Sequence, residues 1–242
     1  MQLARFQAAK TFILYDAHSV CDALPASQID PTLFSTTYWH RQGAVVGEAP
    51  GRGTSLFVQA GTQQWVLRHY RRGGLIGRIN RARYLWTGLE RTRAFRELRL
   101  TAELHARSLP VPPPVAACVW RSGLSYQAAL ITQRLAGSRA LAERLIDADP
   151  ELLERVGTTV ARFHAAGLDH VDLNARNLLV DAEDRVWLID LDRCRLRRPG
   201  AWQAANLDRL ARSLAKFDAP PGAMAVIRRG YQAWPAVTPR AG

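Results

Sequence analysis

The sequence predicts an α+β fold of two lobes, a small β-rich lobe over residues 1–133 and a reduced, mainly helical lobe over residues 134–242. Short apolar runs separated by glycine and proline fill much of the first half, as in a meander of hairpins. In the second half, apolar residues recur at helical spacing. With 48% hydrophobic and 22% charged residues, the composition is that of an ordinary folded protein.

Turn residues and periodicity predict the elements of the first lobe. Asp30 caps and Pro31 opens a short helix that continues through Trp39. Phe95 and Leu98 recur on one face of a longer helix over residues 87–107. Strands are expected over residues 44–46, 55–58, 64–68, 115–119 and 126–132, with a turn at 122–123 between the last two.

The second lobe is predicted to hold two clear helices and one hairpin. Asp149 caps and Pro150 starts a helix that stops near Gly167. Residues 177–180 and 185–189 form two short strands around a polar turn. The last clear helix covers residues 202–217, where leucines recur in register.

The charge balance favours an anionic partner. Lys and Arg total 33 against 21 Asp and Glu, a formal net charge of +12, which suits nucleic acid, a phosphate-rich substrate or an anionic membrane surface. Lys occurs only at Lys10 and Lys216, so nearly all of the cations are Arg. Arg presents a planar fork to phosphate, although a base-composition bias of the gene explains the preference equally well.

The most one-sided basic stretch lies in the first lobe. No acidic residue occurs between Glu48 and Glu90, and the same interval contains Arg68, Arg71, Arg72, Arg78, Arg81 and Arg83. Such a run repels itself unless an anion neutralises it. Glycines and aromatic residues interleave with these arginines, which favours contact with a ligand over a merely solvated basic face.

Cysteine usage and hydropathy indicate the compartment. Cys21, Cys118 and Cys194 are far apart and odd in number, so we expect no disulfide framework, no metal spacing and a reducing cytosol. The first residues do not resemble a signal peptide. No stretch approaches the roughly 18 to 20 apolar residues of a spanning helix, so a soluble or peripheral protein is expected.

The most informative segment is His170-Val-Asp-Leu-Asn-Ala-Arg-Asn177, which is followed by a strand that ends at Asp190. A hairpin returns the end of its second strand beside the start of its first, so Asn177 and Asp190 can face each other. An amide oxygen beside a carboxylate suits Mg²⁺, which keeps substrate phosphates in its shell. Asp172 would stand nearby to accept a hydroxyl proton.

This pattern matches the protein-kinase-like catalytic loop H-x-D-L-x-x-x-N with a following metal-binding Asp, and it predicts a protein-kinase-like fold. A purely structural alternative has Asp172 capping a turn and Asp190 pairing with Arg193 or Arg195. Asp192 is either a second metal contact or a partner of Arg193.

A phosphate-covering loop is expected between two strands of the first lobe. Gly51 and Gly53 lie there, after Gly47. Glycine lets the backbone approach phosphate oxygens closely. We therefore expect Gly51 and Gly53 to contact the nucleotide.

Kinases also need a cation on the third strand and a helix carboxylate to hold it. Arg68 stands where Lys is usual and is expected to pair with the α- and β-phosphates. Glu97 is the preferred carboxylate over Glu90 because it lies in the middle of the helix. The alternative for Glu97 is a local pair with Arg93, worth only about 0.2–0.5 kcal/mol.

Absent features restrict the acceptor. After Asp190-Leu-Asp192 there is no Gly, no long activation segment and no Ala-Pro-Glu, and only 44 residues follow Arg198. A platform for a protein substrate would not fit in this length. A small-molecule or glycolipid acceptor fits better.

The sequence resembles the Kdo kinases of Gram-negative bacteria from about Trp39 to Phe217. The Arg-His-Tyr-x-Arg-Gly-Gly stretch is the specific part, since general kinase folds do not carry it. Leu191 departs from the aromatic residue that is usual between the two aspartates. The matching segments are Gly51-Arg-Gly-Thr54, Leu67-Arg-His-Tyr-Arg-Arg-Gly-Gly-Leu75, Leu109-Pro-Val-Pro112, Asp172-Leu-Asn-Ala-Arg-Asn177 and Ile189-Asp-Leu-Asp-Arg-Cys194.

This resemblance implies that ATP phosphorylates the 4-hydroxyl of 3-deoxy-D-manno-octulosonic acid (Kdo) attached to a lipid A precursor, in lipopolysaccharide inner-core synthesis. It also implies a peripheral place on the cytoplasmic face of the inner membrane. The arginines from Arg68 to Arg83, with Tyr70, Tyr84 and Trp86 among them, could bind the acidic glycolipid and the anionic leaflet. No protein partner is implied.

Two other readings compete with a Kdo kinase. A lipopolysaccharide heptose kinase shares the catalytic-loop motif, and acceptor selectivity would separate the two. A non-catalytic pseudokinase that binds anionic lipid is disfavoured because Asp172, Asn177 and Asp190 are all present. Specific nucleic-acid binding is disfavoured because no helix-turn-helix, RNP or zinc pattern occurs.

Overall fold

The structure is a computed structural model that describes residues 1–24, 29–49, 55–71 and 83–234. The chain divides into two compact units, Met1–Ala106 with Pro112–Arg134, and Arg107–Val111 with Leu135–Gly242. An antiparallel sheet dominates the first unit and helices dominate the second. The α+β class predicted from the sequence is therefore confirmed.

The sheet of the first unit has eight antiparallel strands in the described residues, in the order β1-β2-β7-β8-β5-β4-β3, with β6 paired to β8. The strands predicted after residue 44 and after residue 114 are all present. The strands are β1 Leu3–Ala8, β2 Thr11–Asp16, β3 Val45–Ala49, β4 Ser55–Ala60, β5 Gln63–His69, β6 Tyr84–Leu85, β7 Pro114–Ser122 and β8 Ser125–Gln133.

Helices cover both faces of this sheet. They are α1 Ala17–Ala23, α2 Thr36–Arg41 and α3 Arg93–Ala106. Successive residues of a strand point to opposite faces. Ala117 and Val119 of β7 accordingly pack in the cluster that contains Phe95 of α3, whereas Cys118 packs with Trp65 in the opposite cluster. The central strands are thus buried on both sides.

Two helix boundaries differ from the sequence prediction. The helix expected from residue 87 begins only at Arg93, because Gly88 has a positive φ of 108° and Thr92 is extended, with a 3-10 turn over Leu89–Arg91 between them. The helix expected from Pro31 to Trp39 is two elements. Asp30 caps a 3-10 turn over Pro31–Phe34, and Ser35 then caps α2.

The N-terminal hairpin is an element that the sequence analysis missed. Strands β1 and β2 pair in register from Leu3↔Asp16 to Ala8↔Thr11, and β2 continues the sheet by pairing with β7. None of the residues of β1 is buried, because it is an edge strand with one neighbour. The polar and apolar residues of β1 gave no clear pattern, whereas the apolar run Phe12-Ile-Leu-Tyr15 of the buried strand β2 was an available signal.

The second unit contains four helices and five short strands among its described residues. The helices are α4 Leu141–Arg144, α5 Pro150–Ala165, α6 Trp202–Lys216 and α7 Ala223–Ala233. The strands are β9 Arg139–Ala140, β10 Leu168–Asp169, β11 Leu178–Val180, β12 Val186–Leu188 and β13 Arg195–Leu196. The hairpin and the helices α5 and α6 match the predicted positions, whereas α4 and α7 were not predicted.

Helices α5 and α7 approach each other through two glycines. A Cβ at Gly157 would overlap the Ile227 carbonyl oxygen, and a Cβ at Gly230 would overlap the Glu154 carbonyl oxygen. The Thr158 hydroxyl donates to the Gly230 carbonyl at 3.2 Å across the same contact. In the described ranges, no helix has both the length and the apolar character required to cross a bilayer.

Candidate active site

The first unit brings Arg68 and Glu97 together. Arg68 lies on β5 opposite Leu130 of β8, and Glu97 lies in the middle of α3 as one of the buried residues of this helix. The Arg68 Nη2 to Glu97 Oε1 distance is 2.5 Å. The Glu97 side chain is only 4% exposed, compared with 27% for Arg68, so the carboxylate is the buried anchor of the pair.

The other carboxylate candidate lies elsewhere. Glu90 belongs to the 3-10 turn that precedes α3, and its exposed carboxylate pairs with Arg5 at 2.6 Å and with Arg99 at 2.9 Å. Arg93, which the alternative pairs with Glu97, also lies over the Tyr84 ring, 4.9 Å from its centre. The geometry therefore favours Glu97 as the residue that holds Arg68.

A third residue completes this cluster, and the sequence analysis did not assign it a role there. Tyr70 follows β5 directly, and its backbone N–H donates to the Ala128 carbonyl at 3.0 Å. Its hydroxyl donates to Glu97 Oε2, and Arg68 Nη2 donates to Glu97 Oε1. The Arg68 guanidinium lies 4.9 Å from the centre of the Tyr70 ring. Charge, hydrogen bond and ring contact together fix the Arg68 side chain.

The predicted glycine contacts cannot be located in the same way. Gly51 and Gly53 lie outside the described residues, as does most of the basic stretch after Arg71. Gly47 lies within β3, next to an irregularity in the pairing with β4. The roles of Gly51 and Gly53 stay predictions.

In the second unit, hydrogen bonds to backbone groups hold the loop that follows β10. The side-chain amides of Asn174 and Asn177 both donate to the Asp172 carbonyl, at 2.8 and 2.9 Å. The Ser213 hydroxyl on α6 accepts from the Ala175 N–H at 3.0 Å, and Leu173 is buried. These contacts fix the backbone that carries Asp172.

The Asp172 carboxylate itself is exposed, and within the described residues it makes no hydrogen bond or ion pair. The structural alternative required this side chain to cap a turn. The turn is instead held through the Asp172 carbonyl oxygen. A fixed backbone with an uncommitted carboxylate is the arrangement expected of a group that contacts substrate.

The hairpin brings Asn177 and Asp190 together as the sequence analysis expected. Strands β11 and β12 pair from Leu178↔Leu188 to Val180↔Val186, and the Ile189 N–H donates to the Asn177 carbonyl at 3.0 Å. Asp190 follows immediately with a positive φ of 59°, a conformation that is uncommon for a residue other than glycine and often marks a functional position. Arg195, one proposed partner of Asp190, approaches Asp169 instead, at 3.7 Å.

His170 connects the two halves of this site. Its Nε2 is 3.1 Å from the Ile189 carbonyl oxygen, and burial lowers its pKa, although the Ile189 hydrogen bond and the charges of Asp190 and Asp172 oppose this. A neutral ring with the proton on Nε2 donates to Ile189 O, so His170 fixes the backbone just before Asp190.

Asn206 is a second residue that sequence reasoning missed. In the orientation that satisfies both ends of its amide, it donates to the His170 carbonyl at 2.9 Å and accepts from the His170 N–H at 3.2 Å. It is 1% exposed. A polar residue on the otherwise apolar face of α6, beside Leu207 and Leu210, was the available signal.

The ligand atoms at the hairpin fit a hard divalent cation. Because the Asn177 amide nitrogen donates to the Asp172 carbonyl, its amide oxygen is left to act as an acceptor, and Asp190 follows the residue that bonds to the Asn177 backbone. No group of three or more His, Cys, Asp or Glu suited to a metal occurs in the described ranges. Mg²⁺ needs only one or two protein ligands when phosphates and water complete its shell, so the donor set is compatible with it.

Protein-kinase-like phosphotransferases combine a strand cation held by a helix carboxylate with a catalytic-loop Asp and Asn. The first unit contains the former combination, in Arg68 and Glu97. The second contains an Asp and an Asn at the spacing of that loop motif, and the Asn177 amide donates to the Asp172 carbonyl. These features assign the chain to that class of enzyme.

Within this class, the chain belongs to the lipopolysaccharide kinase (Kdo/WaaP) family, whose model matches residues 36–231. It is 48% identical over 192 residues to a 3-deoxy-D-manno-octulosonic acid kinase of Stenotrophomonas maltophilia (strain R551-3), covering 78% of this chain and 77% of the relative. A protein of the same name from Xanthomonas axonopodis pv. citri (strain 306) is 50% identical with the same coverage. Another from Vibrio parahaemolyticus is 44% identical over 191 residues, or 77% of this chain and 80% of the relative. Because the family consists of kinases, the chain is a phosphotransferase that acts on a hydroxyl group and uses ATP.

Proposed function

We propose that this enzyme transfers the γ-phosphoryl group of ATP to the 4-hydroxyl of Kdo attached to a lipid A precursor, in the synthesis of the lipopolysaccharide inner core. The relatives that carry the name of this activity align with more than three quarters of the chain. The observation that carries the chemistry is the exposed Asp172 carboxylate on a backbone held by Asn174 and Asn177.

In the proposed reaction, the sugar hydroxyl oxygen forms a bond to the γ-phosphorus as the bond between that phosphorus and the β,γ-bridging oxygen breaks. Asp172 accepts the hydroxyl proton, and ADP leaves. Such a transfer depends mainly on positioning and on charge stabilisation. The loop contacts around Asp172 supply the positioning, and His170 and Asn206 support them from the buried side.

The donor phosphates are assigned to the first unit. Arg68 pairs with the α- and β-phosphates, and Glu97 keeps the guanidinium extended from β5. The backbone at Gly51 and Gly53 is assigned to cover the phosphates. Arg68 offers two N–H groups in a plane where Lys would offer a point charge, so the contact is directional.

Asn177 and Asp190 are proposed to hold Mg²⁺. When bound, the ion supplies neutralisation of the phosphate charge. The support is the hard-oxygen pair at the end of the hairpin and its fixed backbone. Asn177→Ala and Asp190→Asn should therefore raise the Mg²⁺ concentration needed for half-maximal activity, and ATP affinity measured without Mg²⁺ should change less.

The deciding experiment measures transfer of label from γ-labelled ATP with Mg²⁺ to a Kdo-bearing lipid A precursor, beside an acceptor that lacks Kdo. Label should appear only in the Kdo glycolipid. Asp172→Asn should reduce turnover by about 10² to 10⁴-fold, the range for loss of a general base, with ATP binding retained. Near wild-type turnover of Asp172→Asn would remove the base assignment.

A heptose acceptor is the second candidate, because the family to which the chain belongs covers lipopolysaccharide kinases of the WaaP type as well as Kdo kinases. The same assay with a heptose-bearing core acceptor separates the two. Label in the heptose acceptor, but none in the Kdo acceptor, would keep the kinase and replace its substrate. The intact set Asp172, Asn177 and Asp190 argues against a pseudokinase.

The proposed acceptor is anchored in a bilayer by acyl chains, so the enzyme is proposed to work as a peripheral protein at the cytoplasmic face of the inner membrane. The net charge of +12 supports contact with an anionic leaflet.

A further inference from the structure

One end of the sheet in the first unit presents both exposed leucines and unpaired cations. The β1–β2 turn and the β7–β8 turn meet there, since the Arg121 N–H donates to the Lys10 carbonyl at 2.9 Å. Strand β6 joins them, because the Trp86 N–H donates to the Leu124 carbonyl at 2.9 Å. We call this surface the sheet tip and define it by Lys10, Arg83, Leu85, Trp86, Arg121 and Leu124.

The leucines of the sheet tip are unusually exposed. Leu124 is 79% exposed in the turn and Leu85 is 66% exposed on β6. Because Leu85 pairs with Ser125, it lies one residue from Leu124 across the strands. Two neighbouring leucines at the end of a sheet cost solvation free energy without contributing to the core, which marks a surface for contact.

The cations of the sheet tip lack acidic partners. Lys10, Arg83 and Arg121 are exposed, and within the described residues none of them forms an ion pair. No Asp or Glu occurs in residues 7–12, 83–87 or 119–127. Glu90, the first acidic residue after Arg83, is already paired with Arg5 and Arg99. The sheet tip therefore carries an uncompensated positive charge.

Aromatic residues fill the space between leucines and cations. The Trp86 ring stacks on Phe12 with 6.1 Å between ring centres, and the Arg121 guanidinium lies 4.8 Å from the Trp86 ring centre. Tryptophan prefers the boundary between water and acyl chains, and basic side chains extend to headgroups from the same level. Exposed leucines next to an aromatic ring and basic side chains are the combination that a membrane interface requires.

We propose that the sheet tip docks on an anionic lipid bilayer, with Leu85 and Leu124 entering the acyl boundary and Lys10, Arg83 and Arg121 binding lipid phosphates. The inference rests on the proposed glycolipid acceptor, which requires the enzyme to work at a bilayer. A protein partner is disfavoured because only two exposed large apolar side chains occur at the sheet tip, whereas a stable interface involves about 20–30 residues per partner. Nucleic acid would use the cations but not the leucines.

The test is co-sedimentation of the full chain with vesicles of phosphatidylcholine and of phosphatidylcholine mixed with phosphatidylglycerol. Wild-type protein should bind the anionic vesicles, and added salt should weaken the binding. Leu85→Ser with Leu124→Ser should lower the partition coefficient about tenfold or more. Lys10→Gln with Arg121→Gln should lower it by about tenfold as well.

Matched controls remove an apolar side chain or two positive charges at positions outside the sheet tip. Ile146→Ser deletes an apolar side chain that is 93% exposed in the second unit. Arg41→Gln with Lys216→Gln deletes the same charges at other exposed positions. Both controls should bind like the wild type. The proposal would be overturned if the leucine variant bound vesicles as well as the wild type does. Retention of each protein on duplex DNA is measured in parallel. A charge variant that loses DNA retention but keeps vesicle binding would also overturn the proposal.

Failure of the proposed function can be distinguished from failure of the proposed docking surface. Transfer to the Kdo glycolipid dispersed in detergent does not require a bilayer, so the sheet-tip variants should keep it while they lose vesicle binding. A wild-type enzyme that binds vesicles through the sheet tip but transfers no phosphate to Kdo would contradict the acceptor and support the docking surface. Thermal unfolding of each variant identifies those that fail to fold.

Discussion

Tyr70 and Arg68 share the carboxylate of Glu97, each taking a different oxygen. The two residues are separated by one position along the chain, but Arg68 belongs to β5 and Tyr70 lies just beyond its end. Glu97 is almost completely buried, so both donors offset the cost of removing its charge from water. This relationship explains structurally why Arg and Tyr occur together in the Arg-His-Tyr stretch.

Tyr70→Phe should lower both stability and nucleotide use. The substitution keeps the ring under the Arg68 guanidinium but removes one hydrogen-bond donor from a buried carboxylate, which costs about 1–3 kcal/mol. Urea unfolding measures the loss, and the KM for ATP should rise because Arg68 is held less firmly. Tyr38→Phe is the matched control, since the half-buried Tyr38 hydroxyl makes no hydrogen bond in the described residues. Equal effects of the two substitutions would contradict this account.

The Arg68–Glu97 pair should behave as one unit. Glu97→Gln keeps the shape of the side chain but removes the charge opposite Arg68, so kcat/KM for ATP should fall about tenfold or more, equivalent to about 1.4 kcal/mol. Arg68→Lys should retain more activity than Arg68→Ala, because Lys keeps the charge although it loses the planar fork.

A double-mutant cycle checks this coupling. The combined Arg68→Ala and Glu97→Gln variant should lose much less than the product of the two single effects, since each single change already breaks the pair. Multiplicative losses would show that the two residues act independently.

Whether a contact of the candidate site could be predicted from the sequence depended on how directly the local structure fixes it. Asp172, Asn177 and Asp190 were predictable because a short loop and a hairpin fix their positions within one segment. The Arg68–Glu97 contact was predictable because a helix after a strand can return a mid-helix carboxylate to it. The hydrogen bond from Tyr70 to Glu97 could not be predicted, because it depends on where the chain leaves β5.

Helix α7 shows a different limit. Its contact with α5 brings backbone atoms of the two helices together at Gly157 and Gly230. A sequence pattern based on large apolar side chains does not register a contact of this kind. The start of α3 was predicted too early, because the apolar spacing continues through Gly88 and Thr92, whose backbone conformations interrupt the helix.

His164 should make the stability of the protein depend on pH. Burial lowers its pKa to about 4 from an ordinary value of 6.5, and the charge of Asp169 only partly opposes this. Its ring packs edge-on against Trp202 at 5.1 Å, and its Nδ1 is 3.0 Å from the Tyr231 hydroxyl. The unfolded chain therefore binds a proton at higher pH than the folded chain. The contribution is complete above about pH 6.5 and is lost as the pH falls toward 4, by up to about 1.4 kcal/mol per pH unit.

Urea unfolding between pH 4.5 and 7.5, a range chosen to span these pKa values, checks the dependence on His164. His164→Gln should flatten the decline in the free energy of unfolding over this interval, even if the variant is less stable at pH 7.5. Because burial also lowers the pKa of His170, part of the decline should remain. An unchanged slope in the variant would contradict the assignment to His164.

At the contact between α5 and α7, replacing glycine by alanine should destabilise the protein, although alanine has the higher helix propensity. Replacing Gly157 by Ala favours an isolated helix by about 1 kcal/mol. In the folded chain, however, the new Cβ would overlap the Ile227 carbonyl and lie 2.6 Å from the Tyr231 nitrogen. Backbone atoms cannot rotate away as a side chain does, so the two helices must separate, at a cost of about 1–3 kcal/mol for overpacking.

Thermal and urea unfolding measure the balance. Gly157→Ala should lower the free energy of unfolding despite the better propensity, and Gly230→Ala should do the same because its Cβ would overlap the Glu154 carbonyl. Arg212→Ala, at an exposed position of α6, should change stability by less than about 0.5 kcal/mol. If Gly157→Ala instead raised the melting temperature, α5 and α7 would have to lie farther apart than the close contact at Gly157 and Gly230 requires.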